Sequence, residues 1–226
     1  MKHHLKQNIQ VVKSSSGNRE DGVVNLVDEH HLELVVNGKT VNNFICINEN
    51  LKEIVIGWLV GHKYIFNIKD IQEINFNDDK TKVDASIINS EVFKECRYES
   101  FNYKDEWIFN LVDTFLQGTK IHKQTSGTHC CILSINGKIE LIREDIGRHN
   151  AIDKVIGYIY MNNINVEDCI VFTSGRISTD VVSKVINSKI PVLVSKSVTS
   201  YQATELAKGH ICLICKAWPD SFEVYT

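Results

Sequence analysis

The chain switches between two hydrophobic periods, and the switches mark its elements. In "LELVVNGKTVNNFICI", Leu32 to Ile47, two β-rich runs flank Asn37-Gly38, a residue pair that favours a tight hairpin turn. The next run, "NENLKEIVIGWLVG", changes to helical spacing, with Leu51, Ile54, Trp58 and Leu59 on one stripe and Asn48 or Asn50 available as N-cap. "DIQEINF" and "KTKVDASII" read as further strands. "EVFKECRYESFNYKDE" has no period and reads as a loop. A helix is predicted from about Lys104 to Gln117, with Trp107, Ile108, Leu111, Val112 and Phe115 inward and Gly118 as its stop.

The second half is more regular. "CCILSINGKIELIRED" predicts a hairpin turning at Asn136-Gly137. A helix from about Asn150 to Tyr160 follows, with Ile152, Val155, Ile156 and Ile159 as its apolar face and Asn150 and Asp153 spaced as a capping pair. "CIVFTS" and "IPVLVS" are unbroken apolar runs, as in strands buried on both faces, and "HICLICKA" predicts a last strand. "STDVVSKVINSK" and "TSYQATELAKG" supply helices between them. Crossovers of this length imply parallel, right-handed connections. The predicted class is α/β: a core domain over residues 101–226 with a β-α-β-α-β C-terminal half, and a smaller α+β region over residues 1–100. The apolar last strand is expected at a sheet edge that needs cover.

Composition adds bounds. The 226 residues are 43% hydrophobic and 23% charged with a net charge of −3, an ordinary globular balance with no basic stripe for nucleic acid. No apolar run approaches the roughly 20 residues of a spanning helix. The start, "MKHHLKQNIQ", lacks the apolar core of a signal peptide. Seven cysteines, an odd number over this length, do not form a disulfide framework and suit a reducing cytoplasm.

Chemistry concentrates at two loops that follow buried strands, Ser174 to Thr179 and Ser195 to Ser200. In open α/β sheets both lie beyond the strands' carboxyl ends. Each carries a cation, Arg176 or Lys196, among hydroxyls and leads into a helix N-terminus, where free N–H groups suit phosphate. One such loop reads as mere helix capping; two at one crevice predict a pocket for a phosphorylated ligand. A second concentration is "REDIGRHNAIDKVIG", Arg143 to Gly157. There Arg143, Glu144, Asp145, Arg148, His149, Asn150 and Asp153 crowd together just before a helix. A self-satisfied polar cluster that pins the hairpin to the helix would account for them. No GxGxxG or GKS/T loop occurs, so a Rossmann site and a P-loop are not expected.

His129-Cys130 and Cys212-x-x-Cys215 invite comparison with zinc deaminases, but no Glu follows His129 at the required spacing and no Pro precedes Cys212. In a strand, that CxxC points its two thiols to opposite faces. No metal site is expected, and a zinc-dependent nucleotide hydrolase is the third reading. Cys46 and Cys169 lie in apolar runs. Cys130 and Cys131 would face opposite ways. Cys96 differs: it sits in a charged, irregular stretch beside Arg97 and near Lys94, cations of the kind that favour a thiolate.

Taken in order, "SGTHCC", "REDIGRHNAIDKVIG", "FTSGRIS", "VLVSKSVTS" and "ELAKGHICLI" resemble the FdhD family, the sulfur-carrier accessory proteins of formate dehydrogenase. The resemblance runs from about Glu29 to the C-terminus. It implies a cytidine-deaminase-like α/β core and a homodimer. It also implies a sulfurtransferase role, in which persulfide sulfur passes from a cysteine desulfurase to the molybdenum (or tungsten) bis-guanine-dinucleotide cofactor for the formate dehydrogenase catalytic subunit. By the family's pattern the sulfur-carrying residue falls on Cys96. The ligand positions are Ser174, Gly175, Arg176, Lys196, Ser197 and Thr199 of the two loops and, if the sheet is ordered as in that family, Arg148 as a phosphate partner, with Asp145 and His149 either lining the pocket or belonging to a self-satisfied cluster. The family's cofactor-binding stretch after the last strand falls on Lys216, Ala217, Trp218, Pro219, Asp220 and Ser221, with GDP as a mimic of the cofactor's nucleotide. Two departures stand out. The family's usual C-G-x-C-G is absent, and Ser126 replaces the first glycine of a usual pair. The alternative function is therefore a non-catalytic module that binds the same cofactor without moving sulfur.

Overall fold

Both Asn-Gly pairs turn hairpins. Asn37 and Gly38 have φ of 49° and 82°, and Asn136 and Gly137 have 49° and 80°. Positive φ at both central residues is what a type I′ turn requires. The computed structural model describes residues 5–88, 96–98 and 100–225.

Three sheets form. β1 (Leu5–Ser15) and β2 (Asn18–Val27) make an antiparallel ribbon, which the hydrophobic pattern did not announce. β3 (His30–Val36), β4 (Lys39–Cys46), β5 (Ile71–Phe76) and β6 (Lys82–Ile87) pair in the order β4-β3-β6-β5. The large sheet has the order β12-β11-β10-β9-β7-β8. Its strands are β7 (His129–Ile135), β8 (Lys138–Asp145), β9 (Cys169–Thr173), β10 (Val192–Ser195), β11 (Cys212–Trp218) and β12 (Ser221–Tyr225). β9, β10 and β11 are parallel, as the crossover lengths require, and β7, β8 and β12 run antiparallel to their neighbours. The fold is mixed α/β. β11 is not the edge: the short turn at Pro219-Asp220 returns the chain as β12, which covers it.

Among the described residues, six α-helices dress the sheets: α1 (Leu51–Gly61), α2 (Asp105–Leu116), α3 (His122–Thr125), α4 (Arg148–Met161), α5 (Thr179–Asn187) and α6 (Tyr201–Ala207). One apolar cluster packs α1, α4 and α5 with the small sheet against one face of the large sheet; a second joins α2 to the opposite face. α1 is central, so its expected stripe becomes burial on every side, and only Lys52 is exposed. None of the helices among the described residues is long and apolar enough to cross a membrane.

Two capping expectations fail. Asn50 occupies the N-cap position of α1 but has left-handed φ and ψ and makes no side-chain cap bond. α4 starts at Arg148, with Gly147 as N-cap, so Asn150 and Asp153 lie inside the helix. Their side chains serve tertiary contacts instead: Asn150 donates to the Ile45 carbonyl at 2.7 Å, and Asp153 pairs with Lys184 at 2.6 Å. The adjacent Cys130 and Cys131 fall in different clusters, as do Cys212 and Cys215, which is the opposite-face geometry of a strand.

Candidate functional site

The two hydroxyl-rich loops form one unit at the carboxyl ends of β9 and β10. Ser195 Oγ donates to the Gly175 carbonyl at 2.7 Å and accepts from the Ser197 N–H at 2.9 Å. The Ile177 N–H donates to the Val198 carbonyl at 3.0 Å, and the Ser200 N–H returns to the Ile177 carbonyl at 3.3 Å. Gly175 lets a third element approach. A Cβ there would fall 2.9 Å from Arg148 Cβ and 3.0 Å from its Cδ, so the absent side chain makes room for the start of α4.

Two chambers open at this seam. The smaller, about 250 Å³, is lined by Arg148, Arg176, Ile177, Ser178, Val198, Thr199 and Ser200. Two of its polar atoms, Arg148 Nε and Ser178 Oγ, are buried without a hydrogen-bond partner among the described residues. Ser178 holds the N-cap position of α5 yet makes no cap bond, which leaves the hydroxyl for something else. Leaving such groups unpaired costs about 1–3 kcal/mol each. With two guanidinium groups and a helix N-terminus, the chamber is chemically suited to an anion.

The larger chamber, about 450 Å³, is lined by residues including Phe115, His122, Gly127, His129, Ser174 and Lys196. Lys196 Nζ lies 4.9 Å from the Phe115 ring centroid and 5.5 Å from that of Trp218, which orients the ammonium over aromatic faces. His129 Nδ1 and Ser174 Oγ are 3.4 Å apart. Burial, and then the charges of Arg148 and His122, push the His129 pKa down. Cys130 also borders this chamber, but burial and the nearby Glu144 push its thiol up to about 12.

The crowded segment Arg143 to Asp153 is mostly internal wiring. Arg143 holds Glu53 of α1 through Nε and Nη2, at 2.6 and 2.7 Å. Asp145 is fully buried. It accepts from the N–H groups of Ile47 and Gly147 and from Asn150, and pairs with Lys154 at 2.6 Å. Four protein donors saturate that carboxylate, so Asp145 belongs to the self-satisfied cluster and has nothing left for a guanine edge. His149 lies in the first turn of α4 and borders neither chamber. Burial, followed by Lys184 and Arg148, pushes its pKa down to about 4. Arg148 alone of the three reaches the crevice.

Other expected positions separate similarly. Ser174 and Lys196 border the larger chamber, Arg176 and Thr199 the smaller, while Gly175 and Ser197 shape the seam. Of the stretch Lys216 to Ser221, Trp218 is the residue beside Lys196. Lys216 turns outward to Glu223 at 2.7 Å, Ala217 is core, and Pro219, Asp220 and Ser221 make the turn into β12. Phe115 is legible in the sequence only as a buried helix residue and Ser126 to Thr128 only as part of the "SGTHCC" motif, while nothing local marks His122; the fold brings them together at the crevice.

Cys96 is placed elsewhere. Its carbonyl accepts from His210 Nδ1 at 3.4 Å, and two residues on the Tyr98 hydroxyl donates to the Lys189 carbonyl at 2.7 Å. Lys189 and His210 precede β10 and β11, so Cys96 sits at the amino ends of the parallel strands. The crevice lies at their carboxyl ends, about 15 Å away at about 3.3 Å per residue. Lys94, the second expected neighbour, lies outside the described residues. Cys96 is also the one partly exposed cysteine; the other six are buried.

These features define an α/β protein with a divided, cation-lined crevice on its large sheet and one accessible thiol at the opposite end. The model of the FdhD/NarQ family matches residues 27–98 and 85–226, and the chain belongs to that family. It is 32% identical over 206 residues to Protein FdhD of Methanocaldococcus jannaschii, covering 88% of this chain and 86% of the relative. It is 26% identical over 230 residues to Sulfur carrier protein FdhD of Bacillus subtilis, covering 89% and 88%. A crystal structure from Desulfotalea psychrophila, of a protein described as a formate dehydrogenase accessory protein, superposes with a TM-score of 0.86. That comparison covers 99% of this chain and 97% of the other at 24% identity, and it establishes the fold.

Proposed function

We propose that this protein is a sulfur carrier in the maturation of formate dehydrogenase. In this reading the thiolate of Cys96 attacks the outer sulfur of a donor persulfide. A new S–S bond forms at Cys96, the donor's S–S bond breaks, and the donor leaves as a thiolate. The donor would be a cysteine desulfurase, the acceptor the molybdenum or tungsten bis-guanine-dinucleotide cofactor, and the client the formate dehydrogenase catalytic subunit. The crevice would hold that cofactor by its anionic nucleotide arms, with Arg148, Arg176 and Ser178 on phosphate oxygens.

The observation that carries the reading is the pair of buried, unpartnered donors, Arg148 Nε and Ser178 Oγ, in a chamber that also contains Arg176. Membership in the FdhD/NarQ family and relatives named as sulfur carriers support it. The family resemblance adds a homodimer to the proposal, and the odd number of cysteines a reducing, cytoplasmic setting; light scattering at micromolar concentration tests the first.

A second reading, a cofactor-binding module without sulfur transfer, is favoured by one observation: Cys96 and the crevice lie at opposite ends of the strands. Incubation with a cysteine desulfurase and cysteine, followed by mass spectrometry, separates the two. Gain of one sulfur atom on the Cys96 peptide supports the carrier. GDP binding without any sulfur gain supports the module.

A further inference from the structure

Glu144 lies on β8, in the polar run Arg143 to Gly157 but not among the expected ligand residues, yet four donors converge on its carboxylate. Oε1 accepts from Thr119 Oγ1 at 2.6 Å, the His122 N–H at 2.8 Å and Thr128 Oγ1 at 3.0 Å. Oε2 accepts from the Ile121 N–H at 2.9 Å. All four donors belong to residues 119–128, the segment that leads from α2 to β7 and forms one wall of the larger chamber.

This segment has little regular structure of its own. Its helix, α3, is a single turn, and Ser126 then takes a left-handed φ of 52°, which a residue with a side chain adopts at a cost. Its internal bonds are local, among them backbone bonds around the single turn, Thr125 Oγ1 to the Ile121 carbonyl at 3.0 Å, the Gly127 N–H to Thr125 Oγ1 at 3.1 Å, and His122 Nδ1 to the Thr128 carbonyl at 2.9 Å. Glu144, on the large sheet, ties both ends of the segment to β8, at Thr119, Ile121 and His122 and again at Thr128. A charged acceptor makes stronger hydrogen bonds than a neutral one, so one carboxylate can fix several turns of weakly disposed backbone.

We propose that Glu144 is the positioning residue of the larger chamber: through residues 119–128 it sets where His122 and the Ser126–His129 wall face the ligand. The proposal rests on the crevice being the ligand site. Glu144 does not touch the ligand. A glutamine at this position keeps the shape but presents N–H groups to at least one of the four donors, so one bond turns repulsive and the wall shifts.

The test is Glu144→Gln in the full-length protein, read in two ways. In ¹⁵N-histidine NMR spectra without ligand, the His122 and His129 ring signals should move while circular dichroism stays native. In calorimetry, GDP affinity should fall at least tenfold. Glu53→Gln is the control: it breaks the neighbouring Arg143 contact, and should lower the unfolding midpoint while leaving the two histidine signals and GDP affinity unchanged. If Glu144→Gln does not fold, Thr119→Val and Thr128→Val each remove one donor and should move the same ring signals by smaller amounts. Unmoved histidine signals in the folded variants overturn the proposal, whatever GDP does. If the signals move but GDP binds as before, Glu144 shapes the wall without serving the ligand, and the positioning role is also overturned. A native protein that binds no GDP counts against the crevice reading itself, not against the hold of Glu144 on its wall.

Discussion

Gly57 of α1 lies against the backbone of Asp153 on α4, and Gly157 of α4 lies against the backbone of Glu53 on α1. A Cβ on Gly57 would fall 1.8 Å from the Asp153 carbonyl oxygen, and one on Gly157 would fall 1.9 Å from the Glu53 carbonyl oxygen. The two helices therefore touch backbone to backbone, and this contact brings the chain's first half onto its second. It also sets the neighbouring pairs in register, since Glu53 reaches Arg143 and Asp153 reaches Lys184 from the same crossing.

Substitution at either glycine should separate the helices. The obstructing atoms are backbone and cannot rotate away, so the cost should reach or exceed the upper end of the roughly 1–3 kcal/mol seen for overpacked cores. Gly57→Ala and Gly157→Ala should each lower the urea midpoint and reduce the extrapolated unfolding free energy by an amount of that size. Midpoints equal to that of the native protein would show that the helices are not in such close contact.

Anion binding at the crevice should depend on its cations. Arg148→Ala, Arg176→Ala and Lys196→Ala should each weaken GDP binding by roughly 1–3 kcal/mol, the range for charge-assisted contacts. Calorimetry on variants with native circular dichroism measures it. If all three bind GDP with native affinity, the ligand lies elsewhere.

Cys96 should react first with a limiting thiol reagent. Burial pushes the Cys46, Cys130, Cys169 and Cys215 thiols up to about 12 and Cys212 to about 11, and Cys131 goes well above its usual value. The reactive form is the thiolate. Brief exposure to iodoacetamide at neutral pH and peptide mapping should find the adduct on Cys96, and Cys96→Ser should remove the fast phase. A faster adduct on Cys130 would move the carrier role to the crevice.

His149 should contribute to acid sensitivity. Its pKa falls from 6.5 to about 4 on folding, because burial and the cations Lys184 and Arg148 oppose its protonation. The unfolded chain therefore binds the extra proton first, and stability falls as pH drops from about 6.5 toward 4. Above about 6.5 both states are neutral there and the effect vanishes. His149→Gln should flatten the loss of stability across that window. Equal slopes for both proteins, measured by denaturant titration at a series of pH values, would falsify this assignment.

Much of the fold was legible because local chemistry enforces it. The Asn-Gly turns, the helical spacing in α2 and the unbroken apolar runs of β9 and β10 each constrain the backbone within a few residues. Their order then allows few topologies, so the parallel core and the joined loops at Arg176 and Lys196 followed from sequence alone. What depended on distant partners did not. Asp145 and Arg148 are three positions apart in one polar run, yet one is sealed under four donors and the other faces the crevice, because α4 begins between them and turns its first residue toward Gly175. Glu144 looked like another charge in that run until residues 119–128 folded onto it. Cys96 lies in the region where the family resemblance expects a sulfur site, but its distance from the crevice is fixed by strands that come more than seventy residues later. Hydrophobic period and turn chemistry are local and can be read in a line; saturation of a buried charge, or separation across a sheet, exists only once the chain has closed on itself.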